Sequence, residues 1–472
     1  MNPSDSKESS RILKELVKSE GASAIDLKFP DLIGRWHHLT VSVAVNNPRL
    51  FEIGVGIDGS SLGYSSVKSG DLSIIPDLST AFIDPFFTER TLSFLCDIYD
   101  CKIAEPCPLD PRSVARRAEA YLASKYPGWQ VRFSPEFEFY IFDRVSYATD
   151  PQLSYFQIDS EETDDEEMLG YRIKEQKGYH AILPNDSHHH LRSAICKQLE
   201  TLGIEVKYHH HEVGASGQEE IELGFSSLLK CADNTMLIKY TIRNLAVEEG
   251  LSATFMPKPI HRAAGTGLHV HQFLTDQNGN SLFYDPDNPE ELSTIGRWYV
   301  GGLMHCGRSL FALTNPSINS YRRLMPGFES PIYLFYSEAN RTAAIRIPAY
   351  SKSRKEMRIE YRPPDATANP YLSLSAMLLA GIYGIEEKID PGPPVAGDLA
   401  QLPKDIQRRF KKVPFTLDRA LDELEADHDF LLAGNVFTDE LIQIWLSEKR
   451  EHELKEYAKR TTPFEFELYY DL

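Results

Sequence analysis

Apolar positions recur along the chain with two different periods. Over residues 8 to 20 the spacing is helical, with Ile12, Leu13 and Leu16 on one side. From there to about residue 100 the period shortens to two. Ala24 to Phe29, His38 to Val43 and Thr91 to Cys96 read as strands, so the first part of the chain is predicted to be mainly sheet. The stretch Glu105-Pro106-Cys107-Pro108-Leu109-Asp110-Pro111 breaks this pattern. Its last two residues form a helix start, with an acceptor side chain at the cap and a residue of preset φ behind it. A helix to about Lys125 then leads into a strand around Phe133 to Phe142. Helices and polar-faced strands alternate beyond it, and Thr438-Asp439-Glu440 caps a long helix predicted to run through Lys459. The fold class expected is α+β, with one domain over residues 1–108 and a larger one over 109–472.

The strand Phe133-Ser134-Pro135-Glu136-Phe137-Glu138-Phe139-Tyr140-Ile141-Phe142 carries the first chemical signal. Side chains two apart share a face, so Glu136 and Glu138 point one way and Phe137 and Phe139 the other. Two carboxylates on one face of a buried strand repel each other and lose hydration, and a divalent cation relieves both costs. Three more segments repeat the arrangement. His211-Glu212-Val213 and Gln218-Glu219-Glu220-Ile221-Glu222-Leu223 flank a Gly/Ser turn, a hairpin that returns Glu220 beside Glu212. His269 and His271 share a face in Gly267-Leu268-His269-Val270-His271. Arg358, Glu360 and Arg362 share one in Arg358-Ile359-Glu360-Tyr361-Arg362. Carboxylates with one or two imidazoles suit Mg²⁺ or Mn²⁺ rather than structural zinc. Arginines beside such a site point to a phosphate or carboxylate substrate.

Composition narrows the class. The chain has 472 residues, 42% hydrophobic and 25% charged, ordinary values for a folded protein of more than one domain. A net charge of -19 argues against nucleic acid and anionic membranes as partners. The acidic run Asp159 to Glu167 reads as solvated surface. Cys96, Cys101, Cys107, Cys196, Cys231 and Cys306 form no Cys-x-x-Cys pair, and neither a signal-type apolar segment nor a membrane-length apolar run occurs. The expected location is the cytoplasm.

Three motifs invite over-reading, and the first is a decoy. Gly54-Val55-Gly56-Ile57-Asp58-Gly59 matches a dinucleotide fingerprint, but a loop rich in Ser and Gly follows where a helix is needed. His188-His189-His190 reads as the start of a surface helix with no metal role. His209-His210-His211 precedes Glu212, and packing and function are equally good readings there.

With these segments stand Ile57-Asp58-Gly59-Ser60-Ser61, Ile75 to Phe86, Asn319-Ser320-Tyr321-Arg322-Arg323-Leu324-Met325-Pro326-Gly327-Phe328-Glu329, Asn340 to Pro348 and Phe464 to Tyr470. In this order, and nearly end to end, they resemble the type I glutamine synthetases. The resemblance implies a small N-terminal β-grasp-like domain and a large catalytic domain with a curved antiparallel sheet flanked by helices. It implies ATP-dependent ligation of ammonia to L-glutamate through γ-glutamyl phosphate, with two or more Mg²⁺ or Mn²⁺ ions per site. By the family pattern Glu138, Glu212 and Glu220 would hold one ion, and Glu136, His269 and Glu360 the other. Glutamate and ammonium would meet Tyr179, Ala264, Gly265, Arg323, Glu329, Arg341 and Arg362. ATP would meet Lys207, Phe225, His271, Phe273, Arg341, Arg346, Lys355 and Arg358. Asp58, Glu329, Arg341 and Arg358 would be catalytic, with Asp58 deprotonating ammonium and Glu329 on a mobile lid. Family members assemble as dodecamers of two stacked hexameric rings, with sites between neighbours.

This chain departs from the family at several of these positions. Ala264 stands where the family has asparagine, Phe273 where it has serine, and Lys207 where a glutamate is common. A ligase for another amine, or a non-catalytic member, is the alternative. Ala400 stands in place of the tyrosine that many members adenylylate, so no modification of that loop is expected.

Overall fold

The computed structural model describes residues 3–43, 50–64, 70–102, 105–163, 170–327, 330–397, 399 and 403–472. Glu329 and Ala400 lie outside the described residues. After helix α1 (Pro3–Glu20), the N-terminal part forms a seven-stranded sheet: β1 (Ala24–Pro30), β2 (Trp36–Ser42), β3 (Val55–Asp58), β4 (Asp71–Pro76), β5 (Phe82–Ile83), β6 (Thr91–Asp100) and β7 (Glu105–Pro106). Its order is β2-β1-β6-β4-β3, with β5 and β7 also on β6; β1 and β6 run parallel and the other pairs antiparallel. The glycine decoy is strand β3 followed by a single 3-10 turn over Gly59–Leu62, where a loop was expected.

A second, eight-stranded sheet carries the chemistry. Helix α2 (Pro111–Lys125), capped by Asp110 as expected, leads into β8 (Gln130–Phe142). Then come the two-stranded hairpin β9 (Arg144–Asp150) and β10 (Leu153–Asp159), helix α3 (His189–Thr201), and the hairpin β11 (Val206–His211) and β12 (Gln218–Leu223). Helix α4 (Leu228–Glu248), β13 (Ser252–Thr254) and β14 (Leu268–Thr275) follow. Helices α5 (Thr294–His305), α6 (Gly307–Thr314) and α7 (Ser320–Arg323) precede β15 (Tyr336–Glu338), β16 (Ile345–Ile347), β17 (Ile359–Tyr361) and helix α8 (Pro370–Glu386). The order is β11-β12-β8-β14-β17-β16-β15, with β13 on β8. Every pair is antiparallel except β15 with β16.

Period-two alternation explains why this sheet has a dry and a charged face. On β8, Phe133, Phe137, Phe139 and Ile141 enter the main core, while Glu136 and Glu138 face the other way. Helix α8 is buried along nearly its whole length and packs against α5, α2 and α4. Arg112, on α2, ties helix α4 to the N-terminal sheet. Its buried guanidinium forks onto Asp233 of α4 at 3.0 and 2.9 Å and reaches Asp97 at 2.6 Å and Asp77 at 2.9 Å beside the N-terminal sheet.

Four local expectations are corrected. Helix α1 begins at Pro3, five residues before the predicted start at residue 8. The C-terminal helix is interrupted: after Asp439–Ser447, capped by Thr438, a π-helical stretch runs Glu448–Leu454. Arg450 within it pairs with Asp422 and Glu425, tertiary contacts to which local periodicity is blind. His188 is not on the surface but 2% exposed. Glu162, inside the run expected to be solvated, is also 2% exposed.

Candidate active site

Strand register assembles the charged face. Glu220 and Glu222 of β12 stand directly opposite Glu138 and Glu136 of β8. His269 of β14 stands opposite Glu136, and His271 opposite Glu360 of β17. On the outer strands His210 pairs with Glu220, and Arg346 with Glu360. Four segments that the sequence scatters over more than two hundred residues thus form one continuous acidic and imidazole surface.

Three groups on this surface could each hold a metal ion, their ligand atoms within 4.8 Å of one another: Glu136, His269 and Glu360; Glu136, Glu222 and His271; His210, Glu212 and Glu220. The first is the set expected for one ion. In the third, His210 joins Glu212 and Glu220. Glu138 accepts the Gly267 N–H at 2.8 Å and lies 3.5 Å from His269 Nε2, with Glu220 opposite it. Glu222 and His210 are the members that sequence reasoning did not select. The i+2 spacing of Glu222 from Glu220, and the position of His210 opposite Glu220, were the available signals.

The electrostatics show what these groups need. Burial raises the pKa of Glu212 and Glu220 well above the usual carboxylate range, and neighbouring carboxylates add to it, Glu138 and Glu220 for the first, Glu136 and Glu138 for the second. Burial also opposes ionisation of Glu136. There the His271 and His269 imidazoles, 2.6 and 3.0 Å away, prevail and hold its pKa well below the usual range. Glu360 is likewise lowered against its burial, chiefly by Arg362, which donates at 2.6 Å; Arg346 pairs with its other oxygen.

The other predicted residues fall into two zones. Lys207, Phe225, Phe273, Lys355 and Arg358, with Tyr208, Glu222 and Tyr350, line a cavity of about 320 Å³. Arg358 lies over the rings of Phe225 and Tyr350 at 5.5 and 5.4 Å and reaches His271. Lys207 pairs with Glu222 at 2.5 Å and lies 4.3 Å from the Phe225 ring. On the other side, Arg323 donates to the carbonyls of Pro363 and Arg362 and lies 3.5 Å from His269. The Nε of Arg362 is buried with no hydrogen-bond partner among the described residues. A Cβ at Gly265 would meet Arg323 at 2.8 Å and the Pro257 carbonyl at 2.9 Å, so the close approach requires glycine. The Ala264 carbonyl is held by Tyr140 at 2.8 Å, and that of Gly265 by Gln218 at 2.9 Å. Tyr179 packs edge-on against His210, with Arg341 6.0 Å from its ring.

Asp58 belongs to the other sheet. It is exposed, caps the turn after β3, and accepts from Ser60 and Ser61 at 2.7 to 2.9 Å; these bonds lower its pKa.

Two family profiles match the chain: glutamine synthetase, catalytic domain, over residues 108–469, and glutamine synthetase, beta-Grasp domain, over residues 21–101. The chain belongs to the glutamine synthetase family. It is 43% identical to the glutamine synthetase of Streptomyces coelicolor over 466 residues, 98% of each chain. It is 43% identical to that of Aquifex aeolicus over 462 residues, 97% of this chain and 98% of the other. Among solved structures it is similar to Plasmodium falciparum glutamine synthetase, with TM-score 0.89, 27% identity and 99% of each chain covered. It also resembles GmaS without ligand, with TM-score 0.81, 25% identity and 97% and 99% covered. The N-terminal sheet is accordingly the β-grasp domain of this family, and the eight-stranded sheet belongs to its catalytic domain.

Proposed function

We propose that the chain is a glutamate–ammonia ligase that makes L-glutamine from L-glutamate, ammonium and ATP through γ-glutamyl phosphate. The observation that carries this reading is the juxtaposition of the carboxylate–imidazole surface with the cavity lined by Lys207, Lys355 and Arg358, in a chain similar over nearly its full length to glutamine synthetases.

The donor set fits Mg²⁺ or Mn²⁺, because buried carboxylates with raised pKa values gain most from a hard divalent cation. Glu136, His269 and Glu360 would hold one ion and Glu212 and Glu220, with Glu138, the other. Bound there, the ions would neutralise phosphate charge during transfer. Phe225 and Phe273 would flank the nucleotide, and Lys207, His271, Lys355, Arg346, Arg358 and Arg341 would face its phosphates. Arg323, Arg362, Gly265, Ala264, Tyr179 and Glu329 would hold glutamate and ammonium. A γ-carboxylate oxygen attacks the γ-phosphorus as the bond to ADP breaks. Ammonia then attacks the acyl carbon, and phosphate leaves with the carboxylate oxygen. Asp58 takes the proton that ammonium must lose before it can attack.

Asp58 sits on the sheet that does not bear the cluster, which supports a site shared between protomers. The C-terminal helix Pro463–Tyr469 buries none of its residues and exposes Phe464, Phe466, Leu468 and Tyr469. A homo-oligomer, a dodecamer of two hexameric rings, gives those side chains a partner. The domain border is put at 108/109, just ahead of α2. All six cysteines are free, which suits the cytoplasm, and no helix among the described residues is long and apolar enough to cross a membrane.

The test is turnover of glutamate and ATP with ammonium and with a panel of alkylamines. Ammonium is expected to give a kcat/KM at least about tenfold above any amine, because Tyr179 and Asp58 suit a small cation. A preferred alkylamine would replace this reading with that of a ligase for another amine.

A further inference from the structure

Behind the β11–β12 hairpin lies a second buried charge cluster, on the face opposite Glu220. Its members come from three places: Glu162 after β10, Asp186, His188 and Arg192 at the start of α3, and His211 and Glu219 on the hairpin. Glu162, His188, Glu219 and His211 are at most 2% exposed. Arg192 and Asp186 form a two-pronged pair at 2.8 and 2.7 Å that is neutral by itself, and Arg192 also touches Glu219 Oε2. Two carboxylates and two imidazoles remain.

Glu162, His188 and Glu219 converge, and His211 braces Glu162. Ser187 donates to Glu162 Oε1 from its N–H at 3.2 Å and its hydroxyl at 3.0 Å, and His211 Nε2 lies 2.9 Å from Oε2. His211 Nδ1 lies 2.6 Å from the Glu212 carbonyl, a backbone bond that orients the ring. His188 Nδ1 and Glu219 Oε1 are buried and, like His188 Nε2, make no hydrogen bond among the described residues. They lie 3.3 Å apart, and His188 Nδ1 lies 3.6 Å from Glu162 Oε1. Two ligands bound tetrahedrally to zinc at about 2.0–2.1 Å stand about 3.3–3.4 Å from each other. Glu162, His188 and Glu219 each offer one atom within 4.8 Å of the others. A buried polar atom without a partner costs about 1–3 kcal/mol, and one cation here relieves both His188 Nδ1 and Glu219 Oε1.

We propose that Glu162, His188 and Glu219 bind a structural divalent cation of the Zn²⁺ type, with His211 holding the Glu162 carboxylate in place. The composition alone matches that of the catalytic cluster, but the 3.3 Å spacing of His188 Nδ1 from Glu219 Oε1 is that of a tetrahedral shell, which suits Zn²⁺ better than octahedral Mg²⁺. The ion balances the two carboxylates and fastens the segment after β10 and the start of α3 to the hairpin that carries Glu212 and Glu220. This inference does not rest on the ligase reading.

The probe is Zn²⁺ added to chelator-treated, full-length protein in excess Mg²⁺, which occupies the oxygen-rich catalytic cluster. Elemental analysis after desalting is expected to find one zinc per chain in the wild type and in Glu360→Gln. In His188→Ala and Glu219→Gln the affinity is expected to fall about 10²-fold or more. Zinc retained by both site variants, or lost from Glu360→Gln, assigns the ion to the catalytic cluster and overturns the proposal. So does a wild type that takes up none, which leaves two imidazolium–carboxylate pairs. Should the site variants fail to fold, Co²⁺ in the Mg²⁺-saturated wild type decides: intense tetrahedral bands support the site, and weak octahedral ones refute it.

Discussion

Replacing Glu360 with glutamine is expected to lower kcat roughly 10³-fold or more, the loss of several kcal/mol of charge stabilisation at the transferred phosphate. Glu360 is fully buried and central to the cluster. It lies 3.5 Å from His269 Nδ1, accepts from Arg362 and Arg346, and shares Glu136 as a neighbour. Glutamine keeps the shape and one acceptor but removes the charge. Alanine is the poorer variant, because stranding two guanidiniums beside a cavity costs about 3–5 kcal/mol of stability and confounds the reading. The measurement is ADP formation at saturating Mg²⁺, with oligomeric size and circular dichroism unchanged. A kcat within tenfold of wild type would show that Glu360 is a structural partner of the arginines and not a ligand.

Asp58→Ala is expected to lower ammonium-dependent turnover about 10²–10⁴-fold, the usual contribution of a positioned general base, while ATP binding changes little. Its carboxylate is exposed and, among the described residues, accepts only from Ser60 and Ser61 of its own turn, so removing it disturbs little packing. If the site is shared, Asp58→Ala and Glu360→Gln protomers complement each other. A randomly mixed, equimolar oligomer then has about a quarter of its sites built from two intact halves. Activity near that fraction, from two nearly inactive parents, is the expected result. Verified mixed oligomers no more active than the parents would place Asp58 outside a shared site.

Much of the catalytic face was legible because its information is local. Glu136 with Glu138, His269 with His271, and Arg358 with Glu360 and Arg362 announce their shared faces through i+2 spacing, and turn residues 214–217 announce the hairpin. Register then adds what spacing cannot. Glu222 looks like the next residue of a strand until it lands opposite Glu136, and His210 looks like one of three equivalent histidines until it lands opposite Glu220. The second cluster was illegible for the same reason. Glu162 sits in an acid run that reads as solvated, and contacts with Ser187, His188 and His211, distant in sequence, accompany its burial. His188 resembles its neighbours His189 and His190, and its burial depends on the hairpin packed over it. The π-helical turn at Glu448–Leu454 leaves no mark on apolar periodicity.

The central claim is that glutamate is activated as an acyl phosphate before ammonia attacks, and oxygen tracing tests it most directly. Purified protein is given ATP, ammonium and glutamate labelled with ¹⁸O in both γ-carboxylate oxygens, and the products are weighed by mass spectrometry. The carboxylate oxygen that attacks phosphorus must leave with it, so each phosphate released is predicted to carry one ¹⁸O and each glutamine to keep one in its amide carbonyl. Phosphate free of ¹⁸O, or ATP hydrolysis without glutamine, would contradict the account.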